Sequence, residues 1–104
     1  MYRLRYFFDA GGGTCLWAAN DAARERFGYP VDASELPIPE NTWRKVSYLC
    51  CWYDTGIDWN HPQGPSPWNE AELDRFNGAA RKLLVLLREQ LGQEFEIGDE
   101  SRTE

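Results

Sequence analysis

"YRLRYFF", residues 2–8, sets Tyr2, Leu4, Tyr6 and Phe8 in alternation with Arg3, Arg5 and Phe7. A period of two sends successive side chains to opposite faces of a strand, so the first set faces a core and the arginines face outward. "DAGGG" at 9–13 supplies turn chemistry and "TCLWA" at 14–18 reads as a second short strand, which predicts a β-hairpin with a glycine tip. Gly11, Gly12 and Gly13 are followed by no GK[ST] and no helix opens directly behind them, so they read as a hairpin loop rather than a phosphate cradle. Near the other end "EFEI", residues 94–97, alternates Phe95 and Ile97 with glutamates and predicts a third strand, placed here as an antiparallel edge beside the hairpin.

Helical patterns fill the space between. Asn20 is a natural N-cap, Asp21 complements the helix dipole, and "DAARERF" closes on Gly28, giving about two turns. "VDASELPIPEN" carries two prolines and is a connector, with one helical turn started by Asp32 and Glu35 as a capping pair. From Asn41 to Thr55 the positions Trp43, Val46, Leu49, Cys50 and Tyr53 recur at three and four, and Gly56 suits the C′ position. Tyr48, Cys51 and Trp52 make a second apolar side on the same helix, which is either buried too or open to a partner. Ser66 and Pro67 read as N-cap and N1 of a third helix running to Leu91. Its stripe is Leu73, Phe76, Ala80, Leu84, Leu87 and Leu91, with Leu83 widening it, Val85 and Leu86 enlarging the apolar arc, and Gly78 marking a close helix crossing. The order is β-β-α-α-α-β. The expected architecture is one α+β domain over 1–98, with a small antiparallel sheet covered on one face by two to three helices and an acidic, frayed tail at 99–104.

Composition bounds the function. A chain of 104 residues with 42% hydrophobic and 14% aromatic content can build one modest core and is not disordered. No apolar run approaches the ~20 residues of a membrane span, and the N-terminus has no signal-peptide h-region, so the expected location is the cytoplasm, away from membranes. Cys15, Cys50 and Cys51 are odd in number and lack CxxC spacing, which disfavours a disulfide framework and a structural zinc site; no cofactor is expected. Net charge is −6, concentrated in the acids Asp32, Glu35, Glu40, Asp54, Asp58, Glu70, Glu72 and Asp74 and in the C-terminal segment. That distribution repels phosphate backbones, so no nucleic-acid partner is expected, and it suits a basic protein.

The stretch "WYDTGIDWNHPQGPSPW", residues 52–68, concentrates Trp52, Trp59 and Trp68, three prolines and the single histidine. Trp59 and Trp68 can pin this connection to the core, and the prolines stiffen it. Tyr48, Trp52, Asp54, Asp58, Trp59 and His61 combine rings that anchor with acids that select a basic partner, the composition of a protein-binding surface. Two rival readings use the same region. Asp54, Asp58 and His61 could form a catalytic or metal site, although no HxxxH, HExxH or DxD motif lies near. Trp17, Trp43 and Tyr53 could line an enclosed pocket for a small ligand.

The runs "CLWAANDAARERFGYPVD", "WYDTGIDW" and "GPSPW" look like those of small bacterial proteins, and the short acidic plan without a catalytic signature is similar to immunity proteins of bacterial toxin systems. That resemblance implies a non-enzymatic inhibitor that occludes a toxin's active site or surface. It transfers no site residues.

Overall fold

The computed structural model describes residues 1–100. Strand β1 (Tyr2–Tyr6) pairs antiparallel with β2 (Leu16–Ala18), Leu4 opposite Ala18 and Tyr6 opposite Leu16. The chain then forms α1 (Asp21–Phe27), a 3-10 turn at Ala33–Glu35, α2 (Glu40–Asp54), α3 (Glu70–Leu91), a second 3-10 turn at Gly92–Glu94 and β3 (Phe95–Asp99). The fold is α+β in the order β-β-α-α-α-β, with a three-stranded mixed sheet ordered β2-β1-β3.

One expectation about the sheet is corrected: β3 runs parallel to β1, Tyr2 opposite Phe95 and Tyr6 opposite Asp99. The cause is the direction of α3. Phe76 near its start packs on Phe8, just past the end of β1, at 5.0 Å between ring centroids, and the Tyr6 hydroxyl donates to the Ala80 carbonyl at 2.7 Å. Farther on, Arg88 donates to the Ile97 carbonyl at 2.7 Å. α3 therefore runs back along β1 and returns the chain beside Tyr2, so the next strand can only climb in the direction of β1. Of the segment 99–104, Asp99 ends β3, and Glu100 donates its N–H to the Tyr6 carbonyl at 3.0 Å. Residues 101–104 of that expected tail lie outside the described residues.

The core forms where the inner sheet face meets the helices. Leu4, Tyr6, Leu16 and Ile97 pack with Val46, Leu49 and Cys50 of α2 and with Phe76, Ala80, Leu83, Leu84, Leu87 and Leu91 of α3. Val85 does not join the apolar arc and is 56% exposed, because one step past Leu84 turns it by about 100° away from the buried stripe. Gly78 marks no crossing, since a Cβ there would meet nothing within 4 Å. The outer sheet face has its own cover: Phe7 stacks on Trp17 at 4.9 Å, and the Trp17 indole donates to the Phe7 carbonyl at 3.0 Å.

The caps show which local signals prevailed. Asn20 caps α1 by accepting from Ala23 N–H, and Asp32 accepts from Ser34 at the 3-10 turn. α3 begins later than expected. Asn69, not Ser66, is its N-cap and accepts from Glu72 N–H at 2.8 Å, with Glu70 and Glu72 in the first turn favouring that start electrostatically. Ser66 instead donates to the Gly56 carbonyl at 2.7 Å and accepts from Trp68 N–H at 3.2 Å, closing the loop on itself. α2 ends at Asp54 with Thr55 as its C-cap, which puts Gly56 at C′ as expected, and glycine is needed there for closeness: a Cβ would sit 3.1 Å from the Trp68 ring. No helix among the described residues is long and apolar enough to cross a membrane.

Candidate protein-binding site

Residues 55–69 connect α2 to α3 and are held by two tryptophans in different ways. Trp68 packs inward, 5.2 Å from Phe76 and 6.3 Å from Trp52, while its indole N–H donates to the Thr55 hydroxyl at 2.8 Å. Trp59 is 57% exposed and is fixed at one edge, its N–H donating to the Asp54 carbonyl at 3.1 Å. Between them the chain makes tight turns: Asp58 accepts from Asn60 N–H at 3.0 Å, His61 N–H donates to the Asp58 carbonyl at 2.9 Å, and Gly64 N–H to the His61 carbonyl at 2.8 Å. A loop so tied presents its exposed side chains in a fixed arrangement.

The hairpin tip docks against this loop. Asp54 accepts from Gly11 N–H at 2.9 Å, and the Trp59 ring lies 3.7 Å from where a Gly11 Cβ would be. Gly11 has φ 76° and Gly13 φ 73°, a left-handed conformation that glycine adopts without strain. Gly12 is constrained by space, because a Cβ there would lie 3.2 Å from Trp17. The glycine run is thus a bracket between the sheet and the loop. Sequence reasoning read it as a turn and missed this contact.

The six residues expected at a partner surface fall into two groups. Trp52 and Asp54 are two positions apart on α2, which turns them by about 200° to nearly opposite sides. Trp52 faces α3: its indole N–H donates to Glu72 at 2.7 Å, and its ring meets Phe76 at 5.2 Å and the 69% exposed Tyr48 at 6.3 Å. Asp54, Asp58, Trp59 and His61 gather instead at the loop and hairpin-tip end. Within that end Asp54 bonds to the hairpin and Asp58 to its own loop, and the His61 side chain is exposed. No group of three His, Cys, Asp or Glu among the described residues could hold a metal ion.

The other rival residues are also dispersed. Trp17 lies on the outer sheet face, and Tyr53 packs among Phe8, Trp68 and Phe76. Trp43 alone of the three lines an open depression of about 460 Å³, with Gly12, Gly13, Asp32, Ser34 and Ser47 among its other walls. Cys15 and Cys50 are buried free thiols, and a hydrogen bond with Cys50 together with burial pushes the Cys15 thiol well above its ordinary range. Both thiols sit in the core cluster, where they pack as small apolar groups.

Charge distinguishes the loop end from the rest of the surface. The segments 6–23, 27–43 and 46–74 contain no lysine or arginine, and they build the hairpin tip, the Asp32 turn and the loop. The ion pairs join β1 to the β3 end, as in Arg3–Glu96 at 3.6 Å and Arg5–Glu100 at 2.6 Å, or neighbours along one helix, as in Arg44–Glu40 at 3.0 Å, and none among the described residues involves Asp32, Asp54 or Asp58. Asp32, Asp54 and Asp58 take hydrogen bonds from backbone N–H groups, which satisfy their oxygens without cancelling their charge. The molecule is a small acidic α+β domain with a rigid, ring-bearing end built from segments without basic residues. The family model for Serratia CdiI immunity protein-like proteins matches residues 3–98, and the chain belongs to that family. Membership supports an immunity or inhibitor role and implies a protein partner, a toxin. A search of the curated proteins returned no match.

Proposed function

We propose that the protein is a non-enzymatic, cytoplasmic immunity protein that neutralises a basic toxin by covering it with the loop end. The observation that carries this reading is the family match over residues 3–98. Asp54, Asp58, Trp59 and His61 form the centre of the surface, and Tyr48 and Trp52 extend it along α2. Trp59 supplies an exposed ring on a stiff support, the kind of anchor that dominates binding energy at interfaces. The aspartates supply uncancelled negative charge that steers a basic partner and fixes its orientation.

The test is a pull-down with tagged protein from the cells that make it, at low and moderate salt, beside a Trp59→Ala, Asp58→Ala double variant. Both substitutions are at surface positions, and circular dichroism checks that the variant stays folded. The expected result is a basic protein retained by the parent, partly released by salt and lost with the variant. Equal retention by parent and variant would move the surface elsewhere, and an empty eluate would count against the immunity reading itself.

A further inference from the structure

We propose that the open depression beside the hairpin tip is a seat for an arginine side chain of the toxin, with the Trp43 ring as its stacking face and Asp32 as its counter-ion. The inference rests on the immunity reading and names the partner chemistry that this part of the surface recognises.

The depression holds about 460 Å³ and is walled by Gly12 and Gly13 from the hairpin tip, by Asp32 and Ser34 from the connector, and by Trp43 and Ser47 from α2. It therefore lies where three segments converge, on the kind of concave surface that receives a protruding side chain. Among the described residues that line it, Asp32 is the only ionisable one. Its Oδ1 already takes both the N–H and the hydroxyl of Ser34, at 3.0 and 2.7 Å, so the carboxylate is fixed in direction, and those same bonds hold its pKa below the ordinary 3.8. A fixed, ionised carboxylate costs little reorganisation when a cation arrives.

The aromatic wall supplies the second half of the specificity. The Arg44 guanidinium already sits 5.9 Å from the centroid of the Trp43 ring while bonded to Glu40 at 3.0 Å, so the ring already takes one guanidinium, and Glu40 offsets the charge that would otherwise repel a second. Guanidinium suits the site better than ammonium because it is planar, stacks on indole and bonds carboxylate side-on. The hydroxyl of Thr14, in the same lining, is occupied in donating to the Val31 carbonyl at 2.7 Å, which leaves Asp32 as the charged determinant. Gly12 and Gly13 directly follow Gly11, which Asp54 holds and Trp59 lies against, so the depression and the proposed toxin-binding end share the hairpin tip.

The test needs no toxin. The labelled protein is titrated at low ionic strength with the blocked peptide acetyl-Gly-Arg-Gly-amide, and separately with the same peptide carrying citrulline, which keeps the shape and removes the charge. The expected result is a saturable shift of the Trp43 indole and of the Gly12, Gly13 and Ser34 amides. Binding should be about tenfold weaker for citrulline. It should also be lost in Asp32→Asn, whose remaining spectrum reports an intact fold, and weakened in Trp43→Leu. Shifts confined to Asp54 and Asp58, equal binding of the two peptides, or no saturable shift would each overturn the arginine seat while leaving the pull-down result, and with it the immunity reading, untouched.

Discussion

The outer sheet face at β1 and the edge strand β3, and the end formed by the loop and hairpin tip, both carry acids, and they handle them differently. At the strand edge Glu96 faces Arg3, and Glu100 forms a two-pronged pair with Arg5 at 2.6 and 2.8 Å. Charge there is cancelled in place. At the loop end Asp54 and Asp58 are satisfied by the amides of Gly11 and Asn60, donors that carry no net charge. A backbone N–H meets the hydrogen-bonding need of a carboxylate and leaves its field pointing outward. Charge at the loop end is thus left open where the acids Glu96 and Glu100 are paired.

The comparison can be broken or sharpened by substitution. The largest expected effect is on stability at Trp68, whose ring fills the space among Trp52, Tyr53 and Phe76. Trp68→Ala should cost about 3 kcal/mol in urea unfolding, by loss of packing and of the bond to Thr55. Trp59→Ala is the counterpart. It should lower toxin affinity by about 2 kcal/mol in calorimetry while moving the urea midpoint little, because the ring is 57% exposed. If the two tryptophans gave similar stability losses, the division between a pinning ring and a presenting ring would be wrong.

Asp54→Asn should destabilise by about 1 kcal/mol, since a charge-assisted bond to Gly11 becomes a neutral one, and hydrogen exchange at Gly11 should accelerate while exchange in α3 stays unchanged. The smallest effect belongs to the strand edge. Arg5 holds the Glu100 carboxyl below its ordinary 4.5, so this pair's contribution is complete above that value and is lost as pH falls through the lower folded-state value. Glu100→Gln should therefore flatten the acid limb of a stability-against-pH curve below 4.5 and change nothing at neutral pH in molar salt. Toxin affinity should be untouched by it.

Much of the fold was written in local patterns. The alternation of Tyr2, Leu4 and Tyr6, the cap at Asn20 and the stripe from Phe76 to Leu91 are all signals within one element, and each element formed where its pattern lies. The direction of β3 was not legible, because an alternating strand reads the same in either direction and α3 decides which end the chain returns to. The start of α3 turned on competition between two good capping residues three positions apart, and the acids behind Asn69 favoured the later one. At the site, the rings and acids stood out as a group in "WYDTGIDW", yet their division did not. The opposite sides of Trp52 and Asp54 follow from helical phase alone and could have been read at 100° per residue. The bond from Gly11 to Asp54 spans 43 positions, and nothing local to either residue announces it.

The most direct measurement is the association rate with the toxin as a function of ionic strength, for the parent and for an Asp54→Asn, Asp58→Asn double variant. Steering by the loop end predicts a rate that falls steeply with salt in the parent and is slower and distinctly flatter in the variant, with dissociation less affected. Identical salt dependence in the two proteins, or a change matched by Arg3→Ala, Arg5→Ala at the strand edge, would contradict the assignment of toxin binding to the loop end.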